Sequence, residues 1–116
     1  MNDPNCIFCK IINGQSQAQI LYRDDLATAF KDAHPITPSH ILIVPNDHID
    51  SVNTVQSSHE AVLGHLITVA RLLAEQEGID KSGYRLVINT GPDSGQSVNH
   101  LHLHLIGGRR MPFRFE

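Results

Sequence analysis

The chain of 116 residues has no tryptophan, only two cysteines, aromatic side chains at 5% of positions and no surplus of positive charge. Each shortage excludes something. Nine basic against twelve acidic residues give a formal charge of -3, so there is no electrostatic case for a nucleic-acid duplex or an anionic membrane as partner. A small phosphorylated ligand stays open, because local donors can bind an anion without a basic surface. The two cysteines, Cys6 and Cys9, are too few and too close for a secreted disulfide framework. The apolar runs fall far short of a membrane span. Met1-Asn2-Asp3-Pro4 has neither the basic region nor the apolar stretch of a signal peptide. The expectation is a cytoplasmic protein with no nucleic-acid and no membrane partner. Its length suits one domain over residues 1–116, and so small a chain buries little surface alone, which favours a homodimer.

Histidine is what the chain has in excess. Eight are present, and three of them fall within five positions, His100, His102 and His104. The chemistry is to be sought there.

Hydrophobic patterning predicts a short helical turn over 7–12 and strands over 18–22, 26–30 and 40–44, the last rich in branched residues and stopped by Pro45. Ser57 and Glu60 have the spacing of a capping box. Beyond them Val62, Leu66, Val69 and Leu73 recur at helical spacing, widened by Ala61, Leu63, Ala70 and Leu72, which predicts a helix over about 58–77 stopped by Gly78. Strands over 83–89 and 100–106 follow, joined by the loop Gly91-Pro92-Asp93-Ser94-Gly95-Gln96-Ser97. That loop has no room for a crossover helix. The fold class is therefore α+β, an antiparallel sheet of about five strands with one long helix.

Residues on one face of a strand recur at every second position, about 6.6–7 Å apart. His100, His102 and His104 thus share one side while Leu101, Leu103 and Leu105 face the core. Three imidazoles on one face need polar partners. Metal ligation is one use. Covalent catalysis on phosphorus is the other, with one neutral imidazole attacking while its neighbours donate to phosphate oxygens. The glycine-rich loop, with Gly91, Gly95 and Ser97, suits an anion-binding nest and favours the second use. Cys6 and Cys9 have the spacing of half a zinc site, which a redox pair or two inert residues share. His34 and His59 read as solvated loop or cap residues, His65 as a helix-surface or interface residue, and Arg109 as a flank of Gly107-Gly108.

His100-Leu101-His102-Leu103-His104-Leu105-Ile106 matches the pattern His-x-His-x-His followed by two apolar residues. With Gly95-Gln96-Ser97-Val98 before it, Gly107-Gly108-Arg109 after it, Asn89, Pro38-Ser39-His40 and Cys6-Ile7-Phe8-Cys9-Lys10-Ile11-Ile12, the chain resembles the histidine-triad family from residue 6 to about 109. Within that family it is similar to the nucleotide-binding branch that hydrolyses purine nucleoside phosphoramidates. The resemblance implies hydrolysis of such conjugates, and of acyl-adenylates, through a nucleotidyl-histidine on His102, with no cofactor for catalysis. It implies that His104 contacts the phosphate or leaving group, that His100 orients His102, and that His40 supports the site. Asn89, Gly95 and Ser97 are implied at the α-phosphate and leaving-group side, Asp32 at the ribose hydroxyls, and Phe30, Ile20 and Leu42 near the purine. Some bacterial-type relatives carry a structural zinc on two cysteines and two histidines, which implies Cys6, Cys9, His48 and His100 as ligands here. It also implies a homodimer built on the long helix and the strand after it.

Alternatives within the resemblance are a dinucleoside polyphosphate hydrolase and a nucleotidyltransferase. The first branch has glutamine just before the last histidine, where this chain has Leu103; transferases often replace the last histidine, and His104 is retained. A non-catalytic nucleotide-binding or scaffold protein is the alternative from another class, as is a simple metal-binding module. The tail Met111–Glu116 lacks the tryptophan with which animal-type members end, which bears on leaving-group preference. Its aromatics are expected against a partner subunit or the pocket edge.

Overall fold

The computed structural model describes residues 3–112. Phe113 and Phe115, the aromatics of the tail, lie outside them. The chain opens with α1 (Ile7–Ile12), capped at its start by Cys6, whose Sγ accepts from the Cys9 amide at 3.3 Å. Three strands follow, β1 (Ile20–Arg23), β2 (Ala27–Lys31) and β3 (Ser39–Pro45), then the long helix α2 (Glu60–Gln76), β4 (Tyr84–Ile88) and β5 (Leu103–Gly107). The strands form one antiparallel sheet in the order β1-β2-β3-β5-β4. The expected class and the count of five strands both hold.

Pleating divides the sheet into two faces. One packs on α2: Ala27, Ala29, Ile41, Ile43, Leu103 and Leu105 meet Leu66, Val69 and Leu73 in the main core. Phe30, Leu42 and Val44 point the other way and cluster with Cys6, Phe8, Cys9 and Ile11. The pairings Phe30↔Leu42, Leu42↔His104 and Val87↔His104 form one row across that second face, from β2 to β4. The site is built on this row.

The first four strands lie within one or two residues of expectation, and two further boundaries differ for identifiable reasons. The turn at Ser57–His59 winds as a 3-10 helix, and α2 begins only at Glu60. The Gln56 amide donates to Nδ1 of His59 at 3.0 Å, so the capping role falls to the imidazole rather than to a Ser57–Glu60 box. Within α2, Leu72 is 37% exposed and Ala61 is exposed, so the apolar stripe is narrower than the sequence suggests. The last strand is also shorter. Its ladder starts at Leu103, and His100–His102 lead into it outside the strand, from a bend at His100. Facing them, Pro45 has no N–H to offer a further rung, its carbonyl is taken by the His100 ring at 2.9 Å, and the Leu101 amide donates instead to the Ile49 carbonyl at 2.7 Å. The alternation survives, with Leu101, Leu103 and Leu105 in the core. No helix among the described residues is long and apolar enough to cross a membrane.

Candidate active site

A cleft of about 640 Å³ opens on the second face, walled by Ile7, Phe8, Ile11, Phe30 and Leu42 and floored by His102 and His104. Asp32, Ser97 and Val98 stand at its polar end. A smaller cavity of about 410 Å³ continues beyond His104 over β4, where Ile36, Val87, Asn89 and Ile106 line it; Asp32, His34, Ser97 and His104 border both. His104 therefore sits between an apolar chamber over β2–β3 and a second one over β4.

The hydrogen-bond partners fix the tautomers. Nδ1 of His102 lies 2.7 Å from the His100 carbonyl, which can only accept, so Nδ1 carries a proton and the lone pair of the neutral ring is on Nε2. The ring is only 4% exposed, with the edge of Phe8 against it at a centroid distance of 5.1 Å. The Ile36 amide donates to Nδ1 of His40 at 3.1 Å, which puts the His40 proton on Nε2. That N–H lies 2.9 Å from Nδ1 of His104 and 3.2 Å from an Asp32 carboxylate oxygen. Two N–H groups cannot face each other at that distance, so His104 accepts at Nδ1 and bears its own proton on Nε2. His104 Nε2 is buried with no hydrogen-bond partner among the described residues. An orphaned donor at the junction of two chambers is a place for a ligand oxygen. Burial first, then the neighbouring His102 and His40, push the His104 pKa down to about 4, so this donor is neutral. Burial likewise lowers His40, against the opposing pull of Asp32.

A second histidine cluster lies behind the first. Sγ of Cys6 and of Cys9 stand 3.3 and 3.5 Å from Nδ1 of His100, and Sγ of Cys9 is 3.4 Å from Nδ1 of His48. All four ligand atoms lie within 4.8 Å of one another. Tetrahedral zinc with bonds of about 2.3 Å to sulfur and about 2.0 Å to nitrogen separates its ligands by about 3.3–3.8 Å. Nε2 of His100 donates to the Pro45 carbonyl at 2.9 Å and Nε2 of His48 to an Asp50 carboxylate at 2.7 Å. Both Nδ1 lone pairs therefore point at the thiols, the arrangement that outer partners impose on metal-binding histidines. The residues fit a zinc ion. Asp32, His40 and His104 also lie within 4.8 Å of one another, but His40 presents N–H there rather than a lone pair, and its contacts have hydrogen-bond lengths. That triad is a proton-bearing chain.

Of the residues singled out by sequence, His102, His104, His40, Asp32, Ser97, Phe30, Leu42 and Asn89 come together around the two chambers. His100 does not line either one; it is fully buried at 0% exposure and turned towards the cysteines. Ile20 lies in a neighbouring groove with Gln19 and Arg23. Gly95 lines neither chamber, and its amide donates to the Pro92 carbonyl at 3.1 Å. The Gly91 amide, which the nest reading directs at an anion, is taken by Oε1 of Gln96 at 2.9 Å. Gln96 went unrecognised as the clamp of this loop: its Nε2 also reaches the carbonyls of Asp50 and Val98 at 2.9 and 3.0 Å. Phe8 was likewise missed, although an aromatic between two cysteines was the available signal. Asp32 also keeps a plain turn role, accepting from the His34 amide at 2.8 Å. His65 is tied to Asp24 at 2.6 Å, far from the histidine face. Arg109 reaches the carbonyls of Arg110 and Ile36, beside the glycine pair.

The sheet, its histidine-floored cleft and the matching sequence pattern define one class of protein: the chain belongs to the HIT domain family, whose model matches residues 13–111. Among individual relatives it is 54% identical over 103 residues to the purine nucleoside phosphoramidase of Escherichia coli K12, covering 89% of this chain and 87% of that protein. It superposes on a HIT family hydrolase from Clostridium thermocellum with a TM-score of 0.96 at 40% identity, covering 99% of this chain and all (100%) of the other. A histidine triad protein from Clostridium difficile gives a TM-score of 0.95 at 39% identity over 100% of both chains.

Proposed function

We propose that the protein hydrolyses purine nucleoside phosphoramidates, with Nε2 of His102 as nucleophile. The observation that carries this is the 2.7 Å contact from His102 Nδ1 to the His100 carbonyl, which selects the tautomer with its lone pair on Nε2, in a cleft of nucleotide size. The name and 54% identity of the Escherichia coli relative support the substrate class.

The purine lies among Phe8, Phe30 and Leu42, and Asp32 accepts from the ribose hydroxyls. The α-phosphate then reaches His102 and His104, and the leaving group extends into the chamber over β4, beside Asn89 and Ile36. Nε2 of His102 attacks phosphorus and forms a P–N bond. The bond to the substrate amine breaks, and the amine leaves neutral from an amidate protonated on nitrogen. A neutral His104 is too weak an acid to supply that proton, so its Nε2–H stabilises charge on a phosphoryl oxygen. Water attacks the nucleotidyl-histidine, the P–N bond to His102 breaks with its electron pair returning to Nε2, and a nucleoside monophosphate departs as the water's proton passes to the phosphate or to solvent.

Cys6, Cys9, His48 and His100 are assigned as holders of a structural zinc, which when bound ties the N-terminal helix to the sheet and supplies no reacting group. Two copies pair through α2 and the edge strand β4, where Ile67, Leu72 and Ile88 are 49%, 37% and 38% exposed. Sedimentation velocity should then show twice the chain mass, and a monomer at micromolar concentration would refute the pairing. A reducing cytoplasm suits Cys6 and Cys9, which form no disulfide and stay available as zinc ligands.

The direct test follows release of a fluorescent amine from an adenosine phosphoramidate by wild type and His102→Ala. Turnover by the wild type alone, with AMP binding kept in both, is the expected result. A folded wild type that binds AMP and releases no amine would leave only a binding role.

A further inference from the structure

We infer that the cysteine–histidine cluster positions the nucleophile, so that zinc bound there sets the rate of the chemical step as well as holding the N-terminus. The inference adds to the zinc assignment above and depends on it.

One residue joins the two sites. His100 offers Nδ1 to the cysteines, donates Nε2–H to the Pro45 carbonyl at 2.9 Å, and gives its own carbonyl to the His102 Nδ1–H at 2.7 Å. The His100 peptide is therefore the acceptor that selects the reactive tautomer of His102. Because His100 and His102 precede the β5 ladder, the sheet does not hold this stretch by strand pairing. A second link runs through α1. Both cysteines flank Phe8, whose ring meets His102 edge-on at 5.1 Å and His100 at 5.9 Å. A helix of six residues is too short to persist without an external anchor. With four ligands joined at one point, α1, His48 and His100 move as a unit. Without that point, both the Phe8 ring and the His100 carbonyl gain freedom, and His102 loses its aim. Nucleotide affinity comes mainly from Phe30 on β2, Leu42 on β3 and Asp32 just after β2, which the sheet holds independently of α1.

The test compares wild type with His48→Ala and His48→Cys. His48 lies outside the cleft, and cysteine restores a ligand. Four quantities are read: zinc per chain by native mass spectrometry, AMP affinity, kcat against KM on an adenosine phosphoramidate, and the His102 ring ¹H–¹⁵N signals. The wild type should carry one zinc and a single sharp Nδ1–H signal. His48→Ala should lose zinc, lower kcat by about tenfold or more, keep AMP affinity within about twofold, and broaden the His102 signal. His48→Cys should restore zinc, kcat and the signal together. If His48→Ala does not fold, wild type stripped by a chelator takes its place. A zinc-free, folded protein with wild-type kcat and an unchanged His102 signal would overturn the coupling alone. Wild type that takes up no zinc would overturn the zinc assignment and the coupling with it. The NMR signal needs no turnover, so it stays decisive even if the phosphoramidase reading fails.

Discussion

Two clusters, each with a pair of histidines, are linked through His102, whose Nδ1–H donates to the His100 carbonyl and whose ring lies 4.9 Å from that of His104; they differ in where their protons sit. Around Cys6 and Cys9, the Pro45 carbonyl and the Asp50 carboxylate hold protons on the outer nitrogens of His100 and His48, so lone pairs converge. Around Asp32, the Ile36 amide turns His40 the other way, so N–H groups run from His40 through His104 towards the cleft. Each brings two imidazoles together; the thiols of Cys6 and Cys9 and the outer hydrogen bonds suit the first to a cation, whereas the N–H groups of His40 and His104 suit the second to an anion. His102 combines the two effects. A carbonyl holds its Nδ1–H, much as the Pro45 carbonyl holds the Nε2–H of His100, but its other nitrogen belongs to the cleft.

The largest effect should come from removing that nitrogen. His102→Ala is expected to lower kcat by at least about 10³-fold, since no other group in the cleft replaces a covalent nucleophile; steady-state amine release measures it. Removing the proton chain should cost less. His40→Ala frees His104 to swap tautomers and lose its donor, and kcat/KM should fall about 10²-fold, as for a single oxyanion donor, with zinc content unchanged. A loss of zinc in that variant would mean that the two clusters are not separate. In the same vein, wild type titrated with zinc should bind one ion per chain tightly, and a second tight ion at Asp32 would contradict the assigned tautomers.

The smallest expected effect is on stability. In the folded chain His104 protonates only near pH 4, against an ordinary value of 6.5 once unfolded. The unfolded chain thus binds the proton more readily, and stability is lost as pH falls from about 6.5 towards 4. Thermal melts at constant ionic strength should show Tm falling across that window, and His104→Gln should flatten the slope. A Tm independent of pH there would show that His104 is not held neutral.

Much of this was legible in the sequence. The leucine–histidine alternation at 100–105 placed three leucines in the core, and five strands with one long helix follow from patterning. The strand boundary did not, because what stops the ladder is Pro45, distant in sequence from His100. Nor did the split between the clusters. The two carbonyls that orient His100 and His102 belong to Pro45 and His100, and backbone acceptors leave no mark in residue type. The glycines of the loop at 91–97 suggest an anion nest, whereas Gln96 occupies the Gly91 amide. Proximity of Cys6, Cys9, His48 and His100 followed from family resemblance; spacing alone offered only half a site.

The most direct measurement is rapid quenching of wild type with an adenosine phosphoramidate, followed by mass spectrometry of the peptide that contains His100, His102 and His104. An adenylyl group on His102, forming and decaying no more slowly than amine is released, is the expected result. Turnover without an adduct, or with the adduct on His104, would contradict the assignment of His102 Nε2 as the nucleophile.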